Sequence, residues 1–100
     1  RELVELAAAG ARILQVGHLE RFNPAMRAVA DVIRRPRFIE CHRLAPFTER
    51  GTDVDVILDL MIHDLDVVLS LVDSEIADVE AVGVPVLSDT VDIANARLRA

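Results

Sequence analysis

The segment from Val54 to Leu71 is an apolar run that carries one narrow stripe of acidic residues and a histidine. Residues on an α-helix turn by about 100° each, so Asp59 and His63 lie one turn apart. Asp66 follows three residues further along the same face. The spacing predicts a single helix that buries most of its circumference and presents one polar face.

This polar stripe has two interpretations. An ordinary amphipathic helix on a sheet exposes such a stripe to water. Alternatively, a carboxylate beside an imidazole can hold the ring in one tautomer and raise its pKa, which suits proton transfer near neutral pH. The stripe is narrow and lacks the Lys, Glu and Arg that usually fill a solvated face, which favours a functional role. Asp64 points away from the stripe and is predicted to be a structural partner.

Composition narrows the class of protein. The chain has 100 residues, a length that allows one domain at most. Of these residues 52% are hydrophobic, and the net charge is -6. This acidic balance argues against a nucleic-acid partner and against an anionic membrane, since both need a basic face. The only basic cluster is predicted to be a solvated helix end and comprises Arg34, Arg35 and Arg37.

The single cysteine, Cys41, cannot form an internal disulfide, which favours a reducing compartment, and it is predicted to be a buried small hydrophobe. No apolar run approaches the roughly 20 residues of a membrane span, and the start does not resemble a signal peptide. The chain begins without Met and stops inside an alternating pattern, so we expect a piece of a longer protein.

The periodicity predicts an α/β fold whose C-terminal part is α+β, with a seam near Pro36. A helix followed closely by a buried strand is typical of a βαβ unit with a parallel sheet. The last two strands, joined by a short connection, are predicted to be antiparallel. The elements before and after the long helix are a helix over 1–9 ended by Gly10, a strand over 13–18, a helix from Asn23-Pro24 to Ile33, a strand over 37–44, a loop over 45–53 that could act as a lid, and strands over 79–86 and 91–98.

Other polar residues are candidates with competing explanations. His18 and His42 lie on predicted strands, where a lone His is most often structural. Arg21 and Asn23 follow a strand at the position where open α/β sheets bind ligands, although Asn23 could simply cap a helix. Arg43 could bind a carboxylate or phosphate, or pair with a nearby Asp.

A metal site is a further alternative. Asp59, His63 and Asp66, together with His42, offer a mixed set of nitrogen and oxygen ligands. The adjacent His63-Asp64 pair is similar to the dyad of HD-type phosphohydrolases. Those proteins are all-helical and need more His and Asp ligands than this chain offers, so no metal ligand is assigned.

Two motifs follow one another along the chain: Val16-Gly17-His18-Leu19-Glu20-Arg21-Phe22-Asn23-Pro24 and Asp59-Leu60-Met61-Ile62-His63-Asp64-Leu65-Asp66. With these motifs the chain resembles the Gfo/Idh/MocA family of NAD(P)-dependent sugar oxidoreductases. The resemblance covers essentially the whole chain. It implies that residues 1–35 end a Rossmann dinucleotide-binding domain. Residues 36–100 would begin an α/β substrate domain with an open, mostly antiparallel sheet. The sequences of the two motifs are most similar to those of nucleotide-sugar dehydrogenases that oxidise the 3-hydroxyl of UDP-N-acetylglucosamine or its uronate.

The resemblance also implies roles for individual residues. His63 would be the catalytic acid/base, and Asp59 would orient its imidazole or contact the sugar. Asp66, His42 and Arg43 would bind substrate. The nicotinamide end of NAD or NADP would lie near His18, Arg21 and Asn23.

The chain departs from the family pattern, because the glycine-rich phosphate loop and the Glu-Lys-Pro motif with the catalytic Lys are absent. We therefore expect this chain alone to be inactive as a dehydrogenase. The longer protein implied by the resemblance is a cytoplasmic homo-oligomer with a small-molecule sugar or nucleotide-sugar substrate. The main alternative is a non-catalytic α/β binding or assembly module of the same fold.

Overall fold

The computed structural model describes residues 1–44, Pro46 and residues 54–100. Within these ranges the chain mixes helices with one two-stranded antiparallel sheet. None of the described helices combines the length and the apolar character needed to cross a membrane. The elements in chain order are α1 (Glu2–Ala9), a 3-10 turn (Glu20–Phe22), α2 (Pro24–Val29), a π-helical segment (Ile57–Met61), α3 (Ile62–Leu71), β1 (Asp78–Val84) and β2 (Ile93–Arg99).

Local capping residues determine where α1 ends and where α2 begins. Helix α1 stops at Gly10, whose N–H donates to the Leu6 carbonyl at 3.0 Å. Helix α2 begins at Pro24, and the Asn23 Oδ1 atom accepts from the Ala25 N–H at 3.0 Å, as expected of an N-cap. The predicted end of α1 and the predicted start of α2 are both confirmed.

Helix α2 ends at Val29, four residues before its predicted end at Ile33. A turn follows, and Arg35 takes a left-handed conformation with φ of 50°. The three arginines at 34, 35 and 37 are exposed, but they lie beyond the helix rather than at its end. The prediction of a solvated cluster is confirmed, and its placement on a helix end is wrong.

The long predicted helix is divided into two segments. Residues Ile57–Met61 are π-helical, and α3 continues from Ile62 to Leu71. The Asp55 carboxylate accepts from the Leu58 N–H at 2.9 Å and satisfies one free donor of the opening turn. Because π-helical hydrogen bonds span five residues instead of four, the regular 100° spacing does not carry from Asp59 to His63.

The antiparallel hairpin follows the alternation of the sequence. Asp78 lies opposite Arg99 and Val84 lies opposite Ile93, which confirms the predicted pairing to within a few residues. On the exposed face, the Arg99 guanidinium forms ion pairs with Asp78 at 2.7 Å and with Glu80 at 2.8 Å. Cross-strand pairs of opposite charge support the register of such a hairpin.

The connection between the strands is built around the Asp92 carboxylate. It accepts backbone N–H groups from Val86 at 2.9 Å, Leu87 at 2.6 Å and Ser88 at 2.8 Å. Desolvation opposes the ionisation of this carboxyl, but the hydrogen bonds outweigh it and lower the pKa of Asp92. The carboxylate therefore takes the place of a backbone acceptor for three consecutive donors.

Replacing Asp92 with Ala is expected to loosen this connection, because three amides lose a charged acceptor at once. Hydrogen exchange at Leu87 and Ser88 should become about tenfold faster or more. Asp89→Asn is the matched control, since Asp89 is an exposed acid of the same turn. Equal exchange rates in the Asp92 variant and the control would contradict this account of the turn.

Other sequence predictions also fail in the described residues. The predicted strands over 13–18 and 37–44 are not formed, and no parallel sheet is present there. Ile13, Phe38 and Leu44 expose 96%, 81% and 90% of their surface, because no neighbouring strand in these residues pairs with either segment. Cys41, predicted to be buried, is exposed for the same reason. The predicted lid over 45–53 lies outside the described residues except for Pro46.

Polar contacts rather than a hydrophobic core position the site. In the described ranges no apolar side chain is buried, and Asp66 is the one buried residue. An apolar cleft of about 290 Å³ separates the π-helical segment and α3 from the sheet, with Met61 and Leu65 on one side and Ala81 and Leu98 on the other. The radius of gyration is 16.1 Å, whereas a compact domain of this length has about 13 Å. The chain is thus expanded, and ion pairs hold α3 to the segments that carry Arg21 and Arg43.

Candidate functional site

The Asp66 carboxylate joins the two sequence motifs. It accepts from Arg21 Nε at 2.7 Å and from Arg21 Nη2, so the pair is bidentate. His18 Nδ1 lies 3.1 Å from Asp66 Oδ1. Asp66 is only 8% exposed, while the arginine and the histidine are partly open to solvent. We call His18, Arg21 and Asp66 the Asp66 cluster.

Hydrogen bonds determine the ionisation of the Asp66 carboxyl. The hydrogen bond from Arg21 is the largest influence on the carboxyl and, together with that from His18, it lowers the pKa of Asp66 to about 2 against desolvation. Asp66 is therefore ionised at neutral pH. A buried carboxylate with a forked guanidinium partner is a stable arrangement only while both partners are present.

The sequence did contain a signal for this pairing. Charged residues are almost never buried without a partner, so an acid within an apolar helix needs a cation. The family resemblance implies substrate binding for Asp66 and cofactor binding for Arg21 and His18. The structure brings all three together, with His18 and Arg21 both in contact with the Asp66 carboxylate.

His63 lies next to the cluster. Its ring centroid is 6.0 Å from that of His18, and the two rings are nearly perpendicular, at 78°. The Nδ1 atom of His63 is buried and has no hydrogen-bond partner among the described residues. A buried polar atom without a partner is rare in folded proteins, which makes this imidazole a candidate for proton transfer.

Asp59 is separated from His63 by the start of α3. It lies in the π-helical segment and is exposed. Its carboxylate makes no hydrogen bond or ion pair with the described residues, so it does not orient the imidazole in this structure. The predicted common face of Asp59, His63 and Asp66 is therefore split into an exposed acid, a half-buried histidine and a buried acid.

A second forked ion pair occupies the neighbouring acid of α3. Arg43 donates from Nε to Asp64 Oδ2 at 3.0 Å and from Nη2 to Asp64 Oδ1 at 2.6 Å. The structural role predicted for Asp64 is confirmed. His42, by contrast, is 67% exposed and its Nε2 lies 3.2 Å from Glu40 Oε1, outside the Asp66 cluster.

The three cofactor candidates are all engaged by the chain itself. Asn23 caps α2, and Arg21 and His18 belong to the Asp66 cluster. A cleft of about 170 Å³ is lined by the three residues of the Asp66 cluster and by Gln15, Val16 and Phe22. This volume is too small for a whole dinucleotide. In the described part of the chain, no three His, Cys, Asp or Glu side chains are grouped so that they could hold a metal ion.

The sequence is similar to that of a known dehydrogenase. No family model matches the sequence. The chain is 44% identical over 95 residues to the UDP-N-acetylglucosamine 3-dehydrogenase of Acidithiobacillus ferrooxidans, an alignment that covers 94% of this chain and 30% of that protein. The resemblance to nucleotide-sugar 3-dehydrogenases is thereby confirmed.

Two solved structures of the same enzyme, GnnA, have a similar fold. Both superpose with a TM-score of 0.82 and 43% identity over 97% of this chain, which covers 33% of one and 32% of the other. The chain spans about a third of the length of the relatives it matches. Its mixed helix and strand architecture corresponds to part of an α/β dehydrogenase, as the sequence predicts.

Proposed function

We propose that this chain supplies the proton-transfer part of the active site in a nicotinamide-dependent dehydrogenase of nucleotide sugars. The observation that carries the proposal is its 44% identity, over nearly its whole length, to a UDP-N-acetylglucosamine 3-dehydrogenase. The geometry agrees, since a half-buried histidine with an unsatisfied Nδ1 lies beside an ordered ionic cluster. The substrate we propose is UDP-N-acetylglucosamine, oxidised at its 3-hydroxyl.

In this reaction His63 removes the proton of the 3-hydroxyl group, and hydride leaves the ring carbon that bears this group. Asp59 is exposed and unpaired in the described structure, so it is better placed to contact the sugar than to orient His63. His42 is a second exposed candidate for the substrate side. Because Asp64 occupies the guanidinium of Arg43, and Arg21 occupies the carboxylate of Asp66, these two residues support the site rather than bind substrate directly.

The cofactor is NAD or NADP, whose nicotinamide ring accepts the hydride. The residues present could meet only one end of it, in the cleft lined by Gln15, Val16 and Phe22. A dinucleotide also needs a glycine-rich loop for its phosphates, and this sequence has none. We propose that the rest of a longer protein provides that loop, that this protein is cytoplasmic, and that it is a homo-oligomer.

The test uses the full-length protein that contains this sequence. We expect UDP-N-acetylglucosamine to reduce NAD⁺ or NADP⁺, with absorbance rising at 340 nm and a 3-keto sugar forming in stoichiometric amount. Free N-acetylglucosamine serves as the matched substrate without the nucleotide. Absence of turnover with both dinucleotides, in a folded protein that binds them, would contradict the proposed function.

The 100-residue chain on its own is expected to show no turnover in the same assay. It lacks a phosphate-binding loop, and no apolar side chain of its described residues is buried. Both features leave it unable to bind a dinucleotide in a fixed position. Dehydrogenase activity from the purified chain, free of the longer protein, would show that this division of the active site is wrong.

A further inference from the structure

We propose that His18 is a positioning residue for His63, fixed in place by Asp66 and setting the orientation of the neighbouring imidazole by direct ring contact. This inference rests on the proposed function, in which His63 transfers the proton. It assigns to His18 a role different from cofactor binding. The observation that carries it is the perpendicular packing of the two rings at a centroid distance of 6.0 Å.

The first step is the fixing of His18. Its Nδ1 atom lies 3.1 Å from a carboxylate oxygen of Asp66, and that carboxylate is also held by the fork of Arg21. An ionised carboxylate only accepts hydrogen bonds, so the Nδ1 atom of His18 must carry the hydrogen. The contact thus sets both the tautomer and the ring plane of His18.

The second step is the transfer of that order to His63. Nothing in the described residues holds the Nδ1 atom of His63 by a hydrogen bond. Its ring plane is therefore determined by packing, and His18 is the ring that packs against it, edge to face. A proton-transfer group must be directed at its partner within hydrogen-bond reach, so drift of the imidazole lowers the rate of the chemical step.

Two variants of the full-length enzyme separate the ring from the hydrogen bond. His18→Asn keeps an N–H donor close to the position of Nδ1 but removes the ring. His18→Phe keeps a ring but removes the donor. We expect kcat to fall about tenfold or more in the Asn variant, with KM for UDP-N-acetylglucosamine changed less than twofold, and to fall less in the Phe variant. Wild-type kcat in the Asn variant, or equal losses in both variants, would overturn the inference.

An activity-independent measurement keeps the inference distinct from the proposed function. Long-range ¹H–¹⁵N spectra of the imidazoles should show His18 with its hydrogen on Nδ1, and His18→Asn should shift the ring signals of His63. Asp64→Asn, which disturbs the other ion pair of α3, should leave the tautomer of His18 unchanged. If His63 signals do not respond to His18→Asn, the inference fails whether or not the enzyme is active. If they respond but the enzyme has no turnover, the proposed function fails and the ring contact stands.

Discussion

Replacing His63 with Gln in the full-length protein is expected, under the proposed function, to lower kcat by about 10²- to 10⁴-fold, the usual contribution of a positioned acid/base. Glutamine approximates the size of the imidazole but cannot accept and release a proton near neutral pH. Its amide can still hydrogen-bond to a sugar hydroxyl, so KM for the nucleotide sugar should change far less than kcat. The measurement is steady-state reduction of the dinucleotide at saturating substrate.

The control for this prediction is Asp73→Asn, an exposed substitution just beyond the end of α3. It should retain wild-type kcat, and both variants should keep the circular dichroism and melting temperature of the parent. Unchanged turnover in His63→Gln would remove His63 from the mechanism. In that case a non-catalytic binding or assembly module becomes the better description of this chain.

The second large effect is expected from Asp66→Asn, which should lower the melting temperature at neutral pH more than Asp64→Asn does. Removing the carboxylate leaves Arg21 without its forked partner and His18 without its acceptor. Asp64→Asn is a matched control, because it breaks a forked pair with Arg43 on the same helix at a more exposed carboxylate, 25% against 8%. Breaking an exposed ion pair costs little stability, whereas removing one partner of a buried pair is strongly destabilising.

The stabilisation from Asp66 should also depend on pH in a defined direction. The pKa of Asp66 lies at about 2 in the folded protein, below its ordinary value of 3.8. The folded state therefore binds this proton less readily than the unfolded state. The resulting stabilisation is complete above pH 4 and disappears as pH falls towards 2.

The difference in melting temperature between the wild type and Asp66→Asn should accordingly shrink between pH 4 and pH 2. Scanning fluorimetry at constant ionic strength measures it, with Asp64→Asn measured in parallel. The comparison isolates Asp66 from other carboxyls, such as Asp92, that titrate in both proteins. A difference that stays constant across this range would show that the Arg21–Asp66 contact does not stabilise the ionised carboxyl.

Elements with purely local signals could be predicted from the sequence. The ends of α1 and the start of α2 follow from Gly10, Asn23 and Pro24, whose backbone preferences act within a turn. The hairpin follows from alternation and a short connection. The strands over 13–18 and 37–44 could not be judged in this way, because a strand requires a partner and the described residues offer none.

The sequence motifs contain all three residues of the Asp66 cluster, but the arrangement of the candidate site could be predicted only in part. The spacing of Asp59, His63 and Asp66 identified the segment, but it assumed one regular helix. The π-helical segment breaks that regularity and separates Asp59 from the other two. The contacts of Asp66 with His18 and Arg21 join residues 48 and 45 positions apart in the chain, which periodicity along one helix cannot show.

The two forked ion pairs have a mechanical consequence for α3. Asp64 and Asp66 are two residues apart, so their side chains leave the helix in directions about 200° apart. Arg43 forms an ion pair on one side of the helix, and Arg21 forms one on nearly the opposite side. The helix cannot roll about its own axis without breaking one of these contacts. We therefore expect α3 to keep its rotational position, and with it the placement of His63, when other parts of the protein move.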